Sequence, residues 1–429
     1  MEKSLRSSAG LFVLALILAA CQASASSSPS ESAAATGAVD PVAACEALEL
    51  GCVEVPAGEP LTVASALAIT GAVAFLGNDA NFGIQVAQEE RGQVLGRDVE
   101  VIHEDAGCGD AASGQTAAES IVANPAILGV MGTTCSRTAV PMMPVLEAAG
   151  LTNISPSNTA VSLTQPGHAN YGGEFYFRTA YSDFFQGSAV AKFLCEELGV
   201  TTIATIHDGS PYAEELQQVA VDQFAEQCDG ETTSQDGINV GDTDFHALLT
   251  TIAANSPEVI FLPIFSPEGP LFVTQSQEIP GLADTIMFGA DGVKDGAMIK
   301  GAGDLAQEIG MYFSGPDLNY GGRYIDEFLP AYYALSGTET VLAPYGGQAY
   351  DAYNILMDAI VAAHVGDDAD GTSYFSKEAI REYVAGLTDY PGLTGTLTCD
   401  ENGDCGAREI SIDQLEDGVF VPVFSTREP

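Results

Sequence analysis

The stretch Leu61-Thr-Val-Ala-Ser-Ala-Leu-Ala-Ile69 is a short, mostly apolar run, and a glycine-containing loop follows it. An amphipathic segment then extends from about residue 78 to residue 90, with Phe82, Val86 and Ala87 at helical spacing. A short apolar run followed by a 3.6-residue period predicts a β-strand and then an α-helix. The two elements together form one βα unit.

The same alternation continues along the chain. Further strands are predicted at 98–104, 126–131, 202–207, 258–262 and 285–289. Further helices are predicted at 113–123, 138–149, 184–198, 212–227, 245–254, 269–277, 324–335, 347–363 and 377–385. Alternating strands and helices predict an α/β fold with parallel sheets covered on both faces. Two series of four or five strands favour two doubly wound lobes over one wide sheet, with a ligand cleft where the strand ends face each other.

The composition excludes several classes of partner. The 429 residues are 46% hydrophobic, which is enough for two or more buried cores. Fourteen Lys and Arg residues against 59 Asp and Glu residues give a net charge of −45. Such a charge repels nucleic-acid phosphates and anionic lipid headgroups. Because the acids are spread along the chain, we interpret them as a solvated surface.

The N-terminus predicts export. A charged head and the apolar run 11–18, which is too short to span a bilayer, are typical of a signal peptide, residues 1–20. Leu18-Ala-Ala-Cys21 resembles a bacterial lipobox, so Cys21 is the predicted lipidation site; ordinary Ala-x-Ala cleavage is the alternative. Residues 21–40 read as a flexible tether. The expected location is the outer face of the cell membrane, or the periplasm, with lipid as the only membrane contact.

Eight further cysteines suit an oxidising compartment. Short separations suggest four local pairs, although eight cysteines allow about 105 connectivities. Zinc ligation is the alternative, but the chain lacks a C-x-x-C spacing. The suggested pairs are Cys45–Cys52, Cys108–Cys135, Cys195–Cys228 and Cys399–Cys405.

Motifs for catalysis are absent from the sequence: it has no G-x-S-x-G, no H-E-x-x-H and no Walker loop. His207-Asp208 could form half of a triad, but a strand terminus with a helix cap is the simpler interpretation. Asp400-Glu-Asn-Gly-Asp404 resembles a calcium loop, yet it is too short for an EF-hand. Its flanking cysteines favour a disulfide-closed turn. We therefore predict no enzyme activity, no cofactor and no metal.

Polar residues follow the predicted strands. Gly132-Thr-Thr-Cys-Ser-Arg-Thr138 places hydroxyls and free N–H groups at a helix N-terminus, which can stabilise an anion. Simple helix capping is the alternative. Ser155-Pro-Ser-Asn-Thr159 offers a second polar turn on the same edge. In the other half, Gly289-Ala-Asp-Gly292 supplies an acid that could receive an ammonium group.

Several segments together resemble a known family. From about residue 61 onward the chain is similar to the solute-binding proteins of branched-chain amino-acid ABC importers, the leucine/isoleucine/valine-binding type with the type I periplasmic-binding fold. The segments that carry the resemblance are 104–108, 132–136, 154–159, 177–180 with 186–187, 206–208 with Tyr212, 244–248, 288–292 and 350–352. In that family a disulfide matches Cys108 and Cys135.

The resemblance implies roles for individual residues. Ser136 and Thr159 would bind a ligand carboxylate, and Ser157 would contribute backbone groups. Asp291 matches the acid, commonly Glu, that accepts the ligand ammonium. The residues expected to line the closing face are Tyr212, Phe265 and Tyr350.

The chain departs from the family pattern at three positions. Leu76 stands where an aromatic residue often covers the side-chain pocket, and Asp291 is shorter than Glu. Arg137 replaces a small hydroxyl residue. If Arg137 points into the cleft, the ligand carries a second acid; our preferred interpretation is that it points outward as a surface cation.

The resemblance also implies a domain plan and a mechanism. Residues 61–177 plus 311–392 are expected to form lobe 1, and 178–310 plus 393–429 are expected to form lobe 2. Residues 41–60 lie outside the resemblance and are interpreted as a disulfide-tied segment. A three-stranded hinge is expected near 177–179, 308–311 and 393–395. Closure of this hinge around an amino acid would precede delivery to an ABC permease and ATPase. A ligand sensor of the same fold, a binder of amides, urea or small carboxylic acids, and an exported hydrolase remain the alternatives.

Overall fold

The computed structural model of the chain describes residues 40–427. The predicted signal peptide, Cys21 and the tether up to residue 39 lie outside the described residues. Within the described part, no helix combines the length and the apolar character needed to cross a membrane. The four predicted disulfides are present in the structure.

The strands are β1 Cys52–Val55, β2 Leu61–Leu67, β3 Val99–Asp105, β4 Ile127–Gly132, β5 Asn153–Ser155, β6 Tyr176–Arg178, β7 Thr202–His207, β8 Glu231–Gly237, β9 Val259–Leu262, β10 Ile286–Gly289, β11 Tyr312–Pro316, β12 His364–Asp367, β13 Ser373–Ser376, β14 Tyr390–Pro391, β15 Thr396–Leu397, β16 Ile410–Glu416 and β17 Val419–Ser425. The helices are α1 Pro41–Glu46, α2 Ala74–Arg91, α3 Ala111–Val122, α4 Ser136–Ala148, α5 Asp183–Glu196, α6 Pro211–Cys228, α7 His246–Ala253, α8 Glu268–Ser276, α9 Gly296–Glu308, α10 Leu329–Ser336, α11 Gly346–Ala362 and α12 Lys377–Ala385. A π-helical turn, Tyr324–Phe328, leads into α10.

Lobe 1 is built on a five-stranded parallel sheet in the order β3-β2-β4-β5-β6. All seven residues of β2 are buried, as expected of a central parallel strand covered on both faces. Helices α2 and α11 pack together on one face of the sheet, and α3 and α4 pack on the other. The N-terminal segment joins this lobe, because β1 pairs antiparallel with β13.

Lobe 2 is built on a seven-stranded sheet in the order β17-β16-β11-β10-β9-β7-β8. Strands β7 to β11 are parallel, and β16 and β17 add an antiparallel edge. Helices α5 and α6 pack on one face, and α7, α8 and α9 belong to the core on the other. The predicted α/β class with two parallel-sheet lobes is confirmed.

Three chain crossings join the lobes, and two lie further along the chain than the sequence predicted. The first leaves β6 after Arg178, close to the expected position. The second follows β11, because β11 pairs with β10 in lobe 2; the boundary expected at residue 311 is therefore too early. The third precedes β16, since Leu393, Leu397 and Cys405 still pack in the lobe 1 core. The boundary expected at 393 is displaced for that reason.

The crossings contact one another through their backbones. The N–H of Arg178 donates to the carbonyl of Gly403 at 3.0 Å, and the N–H of Cys405 donates to the carbonyl of Arg178 at 3.0 Å. The N–H of Asp317 donates to the carbonyl of Glu409 at 3.1 Å. The fully buried Arg178 side chain forms an ion pair with Asp404. These contacts hold the three segments side by side.

Candidate ligand-binding site

The N-terminus of α4 forms the lobe 1 side of the site. Strand β4 ends at Gly132, and the disulfide between Cys135 and Cys108 fixes the turn that follows it. Helix α4 begins at Ser136 without a side-chain cap, so no capping side chain occupies its first-turn N–H donors. The helix dipole adds partial positive charge at this end. A carboxylate placed here would receive hydrogen bonds from both the backbone and the Ser136 hydroxyl.

The turn after β5 completes this side of the cleft. The Ser157 hydroxyl donates to the carbonyl of Thr134 at 3.0 Å, which ties the two strand-end turns together. The Ala160 N–H donates to the Ser136 Oγ at 3.3 Å. Thr159 is buried beside it. The edge of a parallel sheet thus brings these hydroxyls together, as the strand-end pattern predicted.

Asp291 forms the centre of the lobe 2 side. It lies in the short helical turn that follows β10, and it is buried. Its Oδ1 accepts a hydrogen bond from the Tyr212 hydroxyl at 2.8 Å, and its Oδ2 accepts one from the Tyr345 hydroxyl at 2.8 Å. The Tyr212 ring packs on Phe265 with ring centroids 5.0 Å apart. An ionised carboxylate can accept about four hydrogen bonds, so acceptor capacity remains for a ligand.

The backbone of Gly292 approaches the Tyr212 ring closely. Its N–H donates to the Tyr212 hydroxyl oxygen at 3.1 Å. A Cβ at this position would lie 2.6 Å from the carbonyl oxygen of Ile264 and 3.1 Å from the Tyr212 hydroxyl oxygen. A larger residue would therefore clash with the Ile264 backbone and crowd the tyrosine hydroxyl that donates to Asp291.

Burial dominates the electrostatics of the acid. It raises the pKa of Asp291 above its ordinary value, and hydrogen bonds from Tyr212 and Tyr345 partly oppose this. The same burial, together with the nearby Asp291, raises the pKa of Tyr345 and Tyr212. A cation placed beside a buried acid stabilises its ionised form, which burial alone disfavours.

Tyr345 itself is positioned by a second buried acid, Asp79 of α2. The Asp79 carboxyl accepts hydrogen bonds from the N–H of Tyr345 at 3.0 Å, from the N–H of Ala343 at 3.2 Å and from the Tyr332 hydroxyl at 2.5 Å. Burial raises the pKa of Asp79 to about 7. Asp79 thus fixes the loop before α11 against α2.

These residues surround one cavity between the lobes. It has about 310 Å³ of empty space, part of it open to solvent. The structure places seven of the nine predicted site residues on its wall: Leu76, Ser136, Ser157, Thr159, Tyr212, Phe265 and Asp291. Sequence reasoning missed four others: Thr134, Cys135, Gly292 and Tyr345. The first three lie within the motifs that pointed to the site, whereas Tyr345 lies in a loop with no motif of its own.

A two-lobed α/β chain with this cavity between strand ends matches a known family along most of its length. Residues 60–418 match the periplasmic binding protein family. The chain belongs to that family.

Similar proteins include amino-acid-binding members of the family. The chain is 30% identical to the leucine-, isoleucine-, valine-, threonine- and alanine-binding protein of Pseudomonas aeruginosa over 58% of this chain and 65% of that protein, just under two thirds. It is 25% identical to the Leu/Ile/Val-binding protein of Escherichia coli over 86% of this chain and 95% of that protein. The crystal structure of a leucine-binding protein from Thermotoga maritima has a TM-score of 0.74 at 24% identity, covering 85% of this chain and 98% of that one. The last comparison shows the shared fold.

In this periplasmic binding protein, Arg137 neither lines the cavity nor points to open solvent. Its Nη2 donates to the carbonyl of Asp208 on lobe 2 at 3.2 Å and lies 3.9 Å from the Asp208 carboxylate. The expectation that Arg137 points outward as a surface cation is therefore wrong, because its guanidinium contacts lobe 2. Sequence alone could not show that the other lobe supplies a partner.

Tyr350 lies away from the cavity, so the expectation that it lines the closing face is wrong. Its hydroxyl donates to Glu90 at 2.6 Å and accepts from Arg323 at 2.5 Å. Both partners are half-exposed charges on lobe 1. Helical periodicity turns Tyr350 toward α2 and the outer face, four residues beyond the start of α11.

The remaining motifs have structural roles. Asp208 accepts from the N–H of Ser210 at 2.9 Å, and Ser210 caps α6, so this pair is a strand terminus and a helix cap. The Asp400 turn is closed by the Cys399–Cys405 disulfide. Among residues 40–427, no cluster of three or more His, Cys, Asp or Glu side chains is arranged to hold a metal.

Proposed function

We propose that this protein is the substrate-binding component of an ABC importer and that it captures a small α-amino acid between its lobes. The observation that carries this proposal is the division of chemistry across the cavity. Lobe 1 presents the open N-terminus of α4 with Ser136, and lobe 2 presents the buried carboxyl of Asp291. A ligand with a carboxylate and an ammonium group would satisfy both.

The wall between these poles favours a small aliphatic side chain. Leu76 and Phe265 supply apolar surface beside the two poles. Relatives named for binding leucine, isoleucine and valine support the same ligand class. We therefore propose leucine, isoleucine or valine as ligand.

Ligand capture would couple to closure because the two poles belong to different lobes. A ligand bridging them stabilises the closed arrangement by its differential affinity for that state. Binding would involve no chemical step, and a separate permease and ATPase would carry out transport. The exported chain would be held at the membrane through lipid on Cys21.

Isothermal titration calorimetry with the purified protein and the twenty common amino acids tests ligand capture. We expect saturable one-to-one binding that is tightest for a branched-chain amino acid, and no chemical change in the recovered ligand. Failure to bind any α-amino acid would refute the proposed ligand class. Uptake of the labelled ligand by cells with and without the protein tests delivery, and unchanged uptake would refute the importer role.

A further inference from the structure

One buried cation contacts the lobe 1 side of the candidate site. Arg178 is the last residue of β6, and its side chain is fully buried. A guanidinium carries five N–H donors in a fixed planar fork, so a buried one can hold several groups at fixed positions. Asp404 balances the charge of Arg178. The other side-chain contacts of Arg178 all go to residues 158–164, which include the second polar turn of the site.

Two of these contacts flank Thr159. The Nη1 of Arg178 donates to the carbonyl of Ala160 at 2.8 Å and to the carbonyl of Asn158 at 3.3 Å. The carbonyl of Thr159 itself accepts from the N–H of Asp183 at 2.8 Å. Three successive carbonyl groups are therefore held in place. Because Thr159 lies between the two that Arg178 holds, the guanidinium fixes the part of the backbone that presents Thr159 to the cavity.

The same turn orients the Ser136 hydroxyl. The N–H of Ala160 donates to the Ser136 Oγ at 3.3 Å. A serine hydroxyl has one proton to donate and two lone pairs to accept with. Since Ser136 accepts from Ala160, its proton remains for donation to a ligand carboxylate. A displacement of Ala160 would therefore disturb Ser136 as well as Thr159.

The guanidinium is held in turn by the segment that leads into the third crossing. The Nε of Arg178 donates to Oδ1 of Asp404. The Thr164 hydroxyl accepts from Nη2 of Arg178 at 3.0 Å and donates to Oδ2 of Asp404 at 3.1 Å. The disulfide between Cys399 and Cys405 closes the turn that contains Asp404. One guanidinium thus connects the hinge to the turn that carries Thr159.

We propose that Arg178 is a positioning residue for the ligand carboxylate and that it acts through Thr159 and Ser136. The inference rests on the proposed function, in which these hydroxyls face the carboxylate pole of an amino acid. A purely structural role is the alternative, in which Arg178 only satisfies buried carbonyls and supports the fold. The two roles differ in which group of the ligand loses affinity when the guanidinium is replaced.

Calorimetry of Arg178→Lys with three ligands separates the two roles. Lysine keeps the charge but lacks the planar fork that reaches both carbonyls. L-leucine and 4-methylpentanoate carry the carboxylate, whereas L-leucinol keeps the ammonium group and has an alcohol in place of the carboxylate. Leucine and 4-methylpentanoate should each bind at least about fivefold more weakly than they bind the parent, and leucinol should stay within about twofold. Equal losses for all three ligands, or no loss, overturn the proposal.

Arg91→Lys is the matched control. The Arg91 guanidinium contacts Asn354 and Asp358 of α11, outside the cavity. This variant should bind all three ligands as the parent does. A selective loss of the carboxylate ligands in Arg91→Lys as well would overturn the assignment to Arg178.

A milder variant covers the case in which Arg178→Lys does not fold, as judged by thermal unfolding. Thr164→Val removes the hydroxyl between the guanidinium and Asp404, and it should show the same ligand pattern with losses of about two- to threefold. Thr205→Val, the same change at a buried position of β7, should leave all three affinities unchanged. A parent that binds leucine no better than leucinol refutes the proposed carboxylate pole and this inference together. A parent that prefers leucine, with an unchanged ligand pattern in the folded variant, overturns the inference alone.

Discussion

Replacing Asp291 by Asn tests the proposed ammonium site directly, because the substitution keeps the shape and removes the charge. In the parent, each of the two carboxyl oxygens accepts one hydrogen bond from a tyrosine hydroxyl at 2.8 Å. Asparagine retains one of these acceptors, so the Tyr212 and Tyr345 wall should remain near its present position. The variant therefore isolates the attraction between the carboxylate and the ligand ammonium.

The expected magnitude follows from the type of bond that is lost. A hydrogen bond to a charged partner contributes about 1.5 to 3 kcal/mol, which corresponds to a rise in Kd of about 10- to 150-fold. The ligand-free protein should be no less stable than the parent at pH 8. Burial raises the pKa of Asp291, so the ionised acid is unfavourable there without a cation.

Calorimetry with L-leucine and with 4-methylpentanoate, which lacks the amino group, separates the contributions. The parent should prefer leucine by a factor similar to the loss in the variant, and Asp291→Asn should bind the two compounds about equally. Asp304→Asn, the same change at an exposed position of α9, should bind as the parent does. Ser136→Ala should cost less, about 2- to 13-fold, since backbone donors at the helix terminus remain. Leucine binding by Asp291→Asn at the parental affinity would refute the ammonium assignment while leaving the two-lobed receptor intact.

Three further predictions concern closure, anchoring and pH. Arg137→Ala removes a partly exposed ion pair with Asp208 across the lobes, so the affinity for leucine should fall only about two- to fivefold. Stopped-flow experiments should show that the fall comes chiefly from faster dissociation. A loss above about a hundredfold would mean that Arg137 contacts the ligand directly. Cys21→Ser should move the folded protein from the membrane fraction to the soluble exported fraction, and retention in the membrane would contradict the lipobox interpretation. The pKa of Asp79 is raised to about 7, so between about pH 4 and pH 7 the folded protein keeps a proton on Asp79 that the unfolded chain has lost. This difference stabilises the fold by up to about 4 kcal/mol. The stabilisation is fully present below about pH 4 and is lost as the pH rises to about 7. Urea unfolding should show this decline in the parent relative to Asp79→Asn, and parallel pH profiles would disprove it.

The sequence by itself determined the local elements and the chemistry at strand ends. The predicted strand 202–207 and helix 377–385 coincide with β7 and α12. Such elements depend on periodicities of two and 3.6 residues within a short window. The polar turns that hold Ser136, Thr159 and Asp291 were identifiable because each follows a strand of a parallel sheet, where ligands bind. The family resemblance then singled out Ser136 and Thr159 within their turns. The cysteine pairs could be predicted for a related reason, since the two cysteines of each pair are separated by a short stretch of chain.

Only the tertiary structure decided which residues of one lobe contact the other lobe. Tyr345 reaches Asp291 from a loop on the opposite lobe, and Arg137 finds Asp208 by the same juxtaposition. Strand β11 pairs with β10 in lobe 2, and its own short sequence does not encode that partner. Contacts of this kind join residues far apart in the chain, so neither residue's neighbours in sequence carry a signal for them. The sequence therefore specified the two halves of the site, and the packing of one lobe on the other decided how those halves meet.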